Sequence, residues 1–288
     1  MRVLLFGGDG QVGHALQACG PLAAELIVMT RRDCDLADTN ELRAVVRRVH
    51  PEVIVNAAAY TAVDKAESDR ERCFAVNADA PAAMAAEAAA IGAKLVHYST
   101  DYVFDGSKRG PYVEDDPTGP RNVYGLSKLA GEEGIAEAGG ESLVLRTSWV
   151  YGNHGANFLN TMLRLRAERP QLRIVADQHG APTSADAIAE ATARILKNAG
   201  TANWMSGVYH MTAGGATTWH GFADAIFARV GAPAPSLVPI GTAEYPTPAA
   251  RPANSVLSNN KFAGAFGFRL PDWEQQLDAV MTARTIGR

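Results

Sequence analysis

The sequence predicts an α/β fold, a doubly wound parallel sheet followed by a smaller C-terminal α+β lobe. Two observations carry that reading. Apolar runs of strand length alternate with segments of helical period through the first half of the chain, and such alternation builds a parallel sheet with helices on both faces. After Tyr151-Gly152 the runs shorten, and proline and glycine cluster at Gly231-Ala-Pro-Ala-Pro235 and Tyr245-Pro-Thr-Pro248.

Taken in order, residues 3–6 read as a strand and 11–18 as a helix, 26–29 as a strand and 41–49 as a helix, 53–55 as a strand and 78–91 as a helix, with strands at 95–98 and 143–145. Asp38-Thr-Asn-Glu41 resembles a capping box at the second helix. His50-Pro51 ends that helix, because the residue before proline avoids the α region. Beyond residue 150, helices are expected at 185–197 and 222–230, and short closing helices at 261–268 and 271–282. The expected division is 1–150 for a nucleotide-binding unit and 151–288 for a substrate lobe, with segments crossing between them.

The 288 residues are 47% hydrophobic, enough to bury a full core. Net charge is −4, with 27 basic and 31 acidic residues spread along the chain, so nothing points to nucleic acid or to a disordered acidic tail, and a small molecule is the expected partner. Three cysteines, Cys19, Cys34 and Cys73, lack Cys-x-x-Cys spacing and suit a reducing cytosol better than a disulfide framework or a zinc site. The apolar run at the N-terminus is too short for a signal peptide, and Glu87 interrupts the alanine-rich stretch at 82–90, so a cytoplasmic protein with no membrane anchor is expected.

Gly7, Gly10 and Gly13 follow the first strand and open the first helix. In that context one glycine permits a tight turn, another lets backbone N–H groups approach a pyrophosphate, and a third allows close helix–strand packing. A Rossmann-type dinucleotide site is expected there. At the end of the second strand, Thr30-Arg31-Arg32 stands where an acid on a ribose 2′-hydroxyl is common. Arginines match a 2′-phosphate, so NADPH is the expected cofactor, with NADH also accepted because Asp33 and Asp35 oppose the phosphate; solvated loop arginines are the alternative. Asp35-Leu36 suits the adenine end, and Ala57-Ala-Ala59 gives small side chains against which a cofactor can lie.

Tyr124 and Lys128 are four apart and share a helical face. A free tyrosine titrates near ~10, and a nearby ammonium lowers that by favouring phenolate, which makes Lys128 the expected activator of a Tyr124 proton donor. Thr100 ends a strand at the edge where open α/β sheets bind ligands, and its hydroxyl is placed to hydrogen-bond a reacting oxygen. Together these residues specify hydride transfer with acid catalysis.

Through Phe6-Gly-Gly-Asp-Gly-Gln-Val-Gly13, Val55-Asn-Ala-Ala-Ala-Tyr-Thr-Ala-Val-Asp-Lys-Ala-Glu67, His97-Tyr-Ser-Thr-Asp-Tyr-Val-Phe-Asp-Gly106, Asn122-Val-Tyr-Gly-Leu-Ser-Lys-Leu-Ala-Gly-Glu132, Arg146-Thr-Ser-Trp-Val-Tyr-Gly152, Asp177-Gln-His-Gly-Ala-Pro-Thr183 and Arg251-Pro-Ala-Asn-Ser255, the chain resembles the extended short-chain dehydrogenase/reductases, most closely those acting on dTDP-4-dehydrorhamnose. The resemblance implies a cytosolic enzyme reducing the 4-keto group of a dTDP-6-deoxyhexulose for cell-surface polysaccharide. It assigns Gly10-Gln11-Val12, Asp35-Leu36, Ala59-Tyr60-Thr61, Tyr124 and Lys128 to the nicotinamide cofactor, and Thr100, Asp101 and Trp149 to the sugar. Tyr60 replaces a histidine common in the family, harmlessly if the contact is through backbone. Arg251 is expected either on the substrate diphosphate or in an interdomain salt bridge.

Some members dimerise through a metal held by glutamates, one early in the first helix. Here Ala15 stands at that position, so no metal site is expected, and the chain is expected to be a monomer or a weak homodimer on a dTDP-sugar. His154, His179, His210 and His220 lack ligand spacing, and Asp64 and Glu67 read as a solvated helix entrance. A 4,6-dehydratase would carry an Asp-Glu pair after the threonine, whereas Asp101-Tyr102 follows here. An epimerase and a non-catalytic NADP-binding regulatory subunit stay open as alternatives.

Overall fold

The structure, a computed structural model, describes residues 1–19, 25–199 and 204–286. Six parallel strands, β1 (Arg2–Phe6), β2 (Glu25–Met29), β3 (Val53–Asn56), β4 (Lys94–Thr100), β5 (Glu141–Thr147) and β6 (Gly207–His210), form a sheet of order β2-β1-β3-β4-β5-β6. The strands lie between two apolar layers. Val3, Leu5, Val53, Val55, Val96 and Leu145 enter one core, while Leu4, Phe6, Ile54, Leu95 and Val144 enter the other. This two-sided burial is why the strands read as continuous apolar runs.

Helix α1 (Gln11–Ala18) covers the first face through Ala15 and Leu16. Helices α2 (Thr39–Val49) and α3 (Ala80–Ile91) cover the second through Leu42, Val45, Val46 and Met84. Only half of the expected capping box forms. Asp38 accepts from the N–H groups of Asn40 and Glu41, but the Glu41 carboxylate turns to the Asp35 N–H instead of the Asp38 N–H. His50 ends α2 in the left-handed region at φ 48°.

The helix expected from residue 78 begins earlier. A turn at Arg70–Phe74 continues through a π-helical segment, Ala75–Asp79, into α3. The widened turn turns buried Asn77 to the main chain of Tyr60 and to Ser127, the kind of re-aimed side chain for which π segments are used.

The chain beyond residue 150 does not stay apart from the sheet. Helix α5, which we number after α4 (Val123–Ala138), spans Ala185–Leu196 and shares the core of α1 through Ile188, Ile195 and Leu196, and β6 completes the sheet beside β5. Outside these returns, Gln171–Val175 pairs with Ser236–Ile240, and a third core gathers Tyr151, Leu159, Met162, Phe222, Ile226, Trp273 and Leu277. Among the described residues no helix is long and apolar enough to cross a membrane.

Helix α4 is tied to β5 by a buried ion pair. Arg146 Nη2 lies 2.6 Å from Glu132 Oε2, its Nε 3.0 Å from Oε1, and both side chains are 5% exposed. Removing one partner leaves a buried charge unpaired, so Glu132→Ala is expected to lower the unfolding free energy by ~3–5 kcal/mol in urea titrations. Glu132→Leu with Arg146→Leu is expected to recover much of that loss, since neither charge then remains.

Candidate active site

At the carboxyl ends of β1 and β3 the winding of the sheet reverses, and a crevice opens there. Gly7 leaves β1 at φ 83°, and a Cβ on it would lie 2.5 Å from the Ala58 nitrogen. A Cβ on Gly13 would lie 2.0 Å from the Gly7 carbonyl oxygen. Turn, helix and the tip of β3 are therefore in backbone contact. Gly8, which the glycine spacing left out, is as constrained, because its Cβ would meet Val28 Cγ1 at 2.2 Å. Gly10 caps α1 with no side-chain hydrogen bond, so the dipole and first-turn N–H groups of Gln11 and Val12 are open to an anion. The Gln11 side chain itself is held by Val150 O and Asn157.

The crevice is a cleft of about 530 Å³, and Gly7, Gly10, Gln11, Val12, Thr30, Arg31, Asp35, Leu36, Ala59, Tyr60, Thr61, Tyr124 and Lys128 all line it. Gly13 supports it from behind through Gly7. Of the two expected arginines only Arg31 is in the wall; Arg32 is exposed outside it. Arg72, which sequence reasoning missed, also lines the cleft, and its Nη2 lies 3.0 and 2.8 Å from the two Asp35 carboxylate oxygens. That guanidinium holds Asp35 below the usual carboxylate range. Asp33 is held low by the Thr30 hydroxyl and N–H, at 2.6 and 2.9 Å. Both acids that oppose a 2′-phosphate thus already have partners. Nothing in the local sequence signals Arg72, which arrives from a helix 37 residues away.

At the other end of the cleft, Lys128 is 1% exposed and its Nζ donates to the Tyr98 carbonyl at 2.6 Å, with His97 Nε2 at 3.0 Å. Burial pushes its ammonium down to about 8, while Glu132 and Cys73 press the other way. This corrects one expectation. Lys128 is directed to β4 rather than to the Tyr124 hydroxyl, and burial pushes the Tyr124 phenol above its ordinary value although a hydrogen bond with Thr100 pulls it down. Tyr124 is therefore a neutral phenol at neutral pH, a proton donor by its own ionisation state.

Thr100 is buried and its hydroxyl donates to Asp101 Oδ1 at 2.9 Å. Burial pushes Asp101 up to about 6, against hydrogen bonds from Ser255 and Thr100, and its Oδ2 has no partner. Ser99 Oγ and Thr147 Oγ1 are also buried without partners, and both residues line the cleft beside Tyr124 and Lys128. Unsatisfied hydroxyls, an uncapped helix N-terminus and a glycine-crowded turn in one cleft fit a dinucleotide with a polar carboxamide end.

Thr100 and Asp101 are not among the residues lining this cleft, and the expected residues Trp149 and Arg251 also lie outside it. Trp149 takes φ 47° and stacks on Trp219 with centroids 3.6 Å apart and planes 4° from parallel. Trp219, missed in the sequence, is fixed by Gln178 Oε1 at 3.2 Å. Arg251 is committed to Asp64 at 2.9 Å and to the Ala249 carbonyl, the salt-bridge alternative. Asp64 and Glu67 lie at the solvent-facing short helix Val63–Ala66, as expected, and Glu67 Oε1 also accepts the Val123 N–H that begins α4. The Tyr60 N–H is donated to Asn77, which closes the backbone contact expected there, and its hydroxyl bonds Asp69. His210 is buried with no partner on either ring nitrogen, and exposed His154 lies against His14 with the rings tilted by 47°. Among the described residues no group of three or more His, Cys, Asp or Glu is placed to hold a metal.

The family described as RmlD substrate binding domain matches residues 1–286. The dTDP-4-dehydrorhamnose reductase of Burkholderia thailandensis is 50% identical over 284 residues, spanning 95% of this chain and 95% of that protein. The dTDP-4-dehydrorhamnose reductase of Escherichia coli K12 is 44% identical over 299 residues, spanning 99% and 100%. Among solved structures, the dTDP-4-dehydrorhamnose reductase of Bacillus anthracis in complex with NADP superposes with a TM-score of 0.92 at 33% identity, over 98% of this chain and 99% of that one. With its cleft built as described and likeness of this extent, the chain belongs to the RmlD substrate binding domain family.

Proposed function

We propose that this chain reduces the C4 keto group of dTDP-6-deoxy-L-lyxo-4-hexulose with NADPH, giving dTDP-L-rhamnose, a precursor of cell-surface polysaccharide. The observation that carries this reading is the presence of Tyr124 and Lys128 in the same cleft as the glycine turn. A nicotinamide held in this cleft would supply the hydride. Tyr124 gives its phenolic proton to the C4 oxygen as that oxygen gains charge, and Lys128 lines the same cleft one turn further along the helix. Thr100 orients Asp101 through its hydroxyl, and Asp101 Oδ2 accepts from the sugar. Trp149, braced by Trp219, gives the pyranose an apolar face.

The dehydratase reading lacks a feature it needs. Tyr102, edge-on to Tyr124 at 5.9 Å, occupies the place where a dehydratase needs a second acid. Ala15 is buried in the core shared with α5, so it offers no place for a bridging ligand, and the enzyme works without a metal as a monomer or weak dimer. The unpaired thiols of Cys19, Cys34 and Cys73 suit the reducing cytosol.

Tyr124→Phe is expected to lower kcat by ~10²–10⁴-fold with little change in NADPH affinity, measured by NADPH oxidation on the 4-keto sugar nucleotide and by cofactor titration. Near-normal turnover would refute the assignment, and turnover without net NADPH oxidation would identify an epimerase. EDTA is expected to leave the rate unchanged. Arg31→Ala is expected to reduce the ratio of kcat/KM for NADPH over NADH by about tenfold at low salt, in line with loss of one charge-assisted hydrogen bond, whereas Arg32→Ala leaves the ratio within about twofold.

A further inference from the structure

His97 belongs to none of the roles described so far, yet it touches the catalytic lysine. It lies on β4, is 0% exposed, and stands opposite Asn56 of the neighbouring β3. Its Nδ1 is 3.0 Å from Asn56 Nδ2, and its Nε2 is 3.0 Å from Lys128 Nζ. The Asn56 amide is oriented by its other end, because Oδ1 accepts the Ala58 N–H at 3.1 Å. Asn56 therefore donates to Nδ1. An imidazole whose Nδ1 accepts must carry its proton on Nε2. That proton is aimed at Lys128.

We propose that Asn56 locks His97 as its Nε2–H form and that His97 is thereby a positioning residue for Lys128, presenting a donor to its nitrogen so that the neutral amine is favoured and the ammonium gives up its proton at a lower pH. Burial keeps the ring itself uncharged, well below its ordinary value. The positive end of the N–H dipole and burial both disfavour the ammonium, while Glu132 and Cys73 favour it; Tyr124 is the remaining titratable group on that face of α4. The Tyr98 carbonyl takes one amine hydrogen, which fixes the direction of the lone pair. The inference rests on the reading of Lys128 as part of the catalytic apparatus, but its test does not.

Two measurements on the cofactor-free protein decide it. Correlation of ¹⁵N-labelled histidine ring nitrogens with ring protons at pH 7 is expected to show His97 neutral and protonated on Nε2; a proton on Nδ1, or an imidazolium, overturns the proposal even if every variant fails to fold. Titration of the ¹³Cε resonance of Lys128, assigned with Lys128→Arg, is expected to give a midpoint at or below about 8. In His97→Gln, whose amide oxygen accepts from an ammonium, that midpoint is expected to rise by about one unit, the size of one net hydrogen bond. An unmoved midpoint in folded His97→Gln overturns the proposal. The alkaline limb of kcat/KM should move with it. A moved midpoint with an unmoved limb would leave His97 as proposed and remove Lys128 from the chemistry, so the two readings fail separately.

Discussion

The site depends on how closely α4 lies against its neighbours. A Cβ on Gly125 would stand 2.3 Å from the Tyr102 carbonyl oxygen, one on Gly131 2.2 Å from the Asn77 carbonyl oxygen, and one on Gly134 2.7 Å from Ala82 Cβ. Each glycine inside a helix costs about 1 kcal/mol relative to alanine. The closeness they permit brings Lys128 to the Tyr98 carbonyl and sets Glu132, one turn further on, against Arg146. With side chains at those positions α4 would stand off the Tyr102 turn, the π segment and α3, and the seat of Lys128 would shift with it. A weak helix in propensity terms is thus the one that seats the catalytic pair.

The same trade appears on the other side of the cleft, where Gly7, Gly8 and Gly13 press the first turn onto Ala58 and Val28. The two crowded junctions leave the dinucleotide cleft between them, and the second half of the chain is fastened across it. Gln11 holds Val150 O and Asn157, and Arg251 holds Asp64. These contacts join residues 139 to 187 positions apart, so the site depends on segments distant in the chain. The site is assembled by tertiary contact, although its chemistry is concentrated in short motifs.

That division explains what the sequence made legible. The parallel sheet, the glycine turn and the Tyr124–Lys128 face follow from local periodicity and spacing, because each is decided within a few residues. Arg72 on Asp35 and His97 on Lys128 could not be read that way, since the partners come from elements brought together only by the sheet order. The π segment escaped because its hydrophobic pattern continues that of α3; what widens the turn is the distant demand of Tyr60 and Ser127 on Asn77. Trp149 at positive φ is invisible for a similar reason: Gly180 beneath its ring and Trp219 above it impose the conformation.

Asp101 shows what such a site costs the resting protein. Its carboxyl, pushed up to about 6 by burial, is mostly ionised at neutral pH while one oxygen lacks a partner. An unfolded aspartate titrates near ~3.9, so this group weighs against the folded state as pH rises from about 4 to about 6, and its full penalty persists above that window. A hydroxyl donated to Oδ2 satisfies the oxygen and relieves the penalty. Ser99 and Thr147 stand in the same relation to the cleft, each with a buried hydroxyl unsatisfied by the protein. Polar groups left unpaired in a folded interior favour the ligand that pairs them and discriminate against one that does not. Selectivity at Asp101, Ser99 and Thr147 therefore rests on which ligand groups can pair with them.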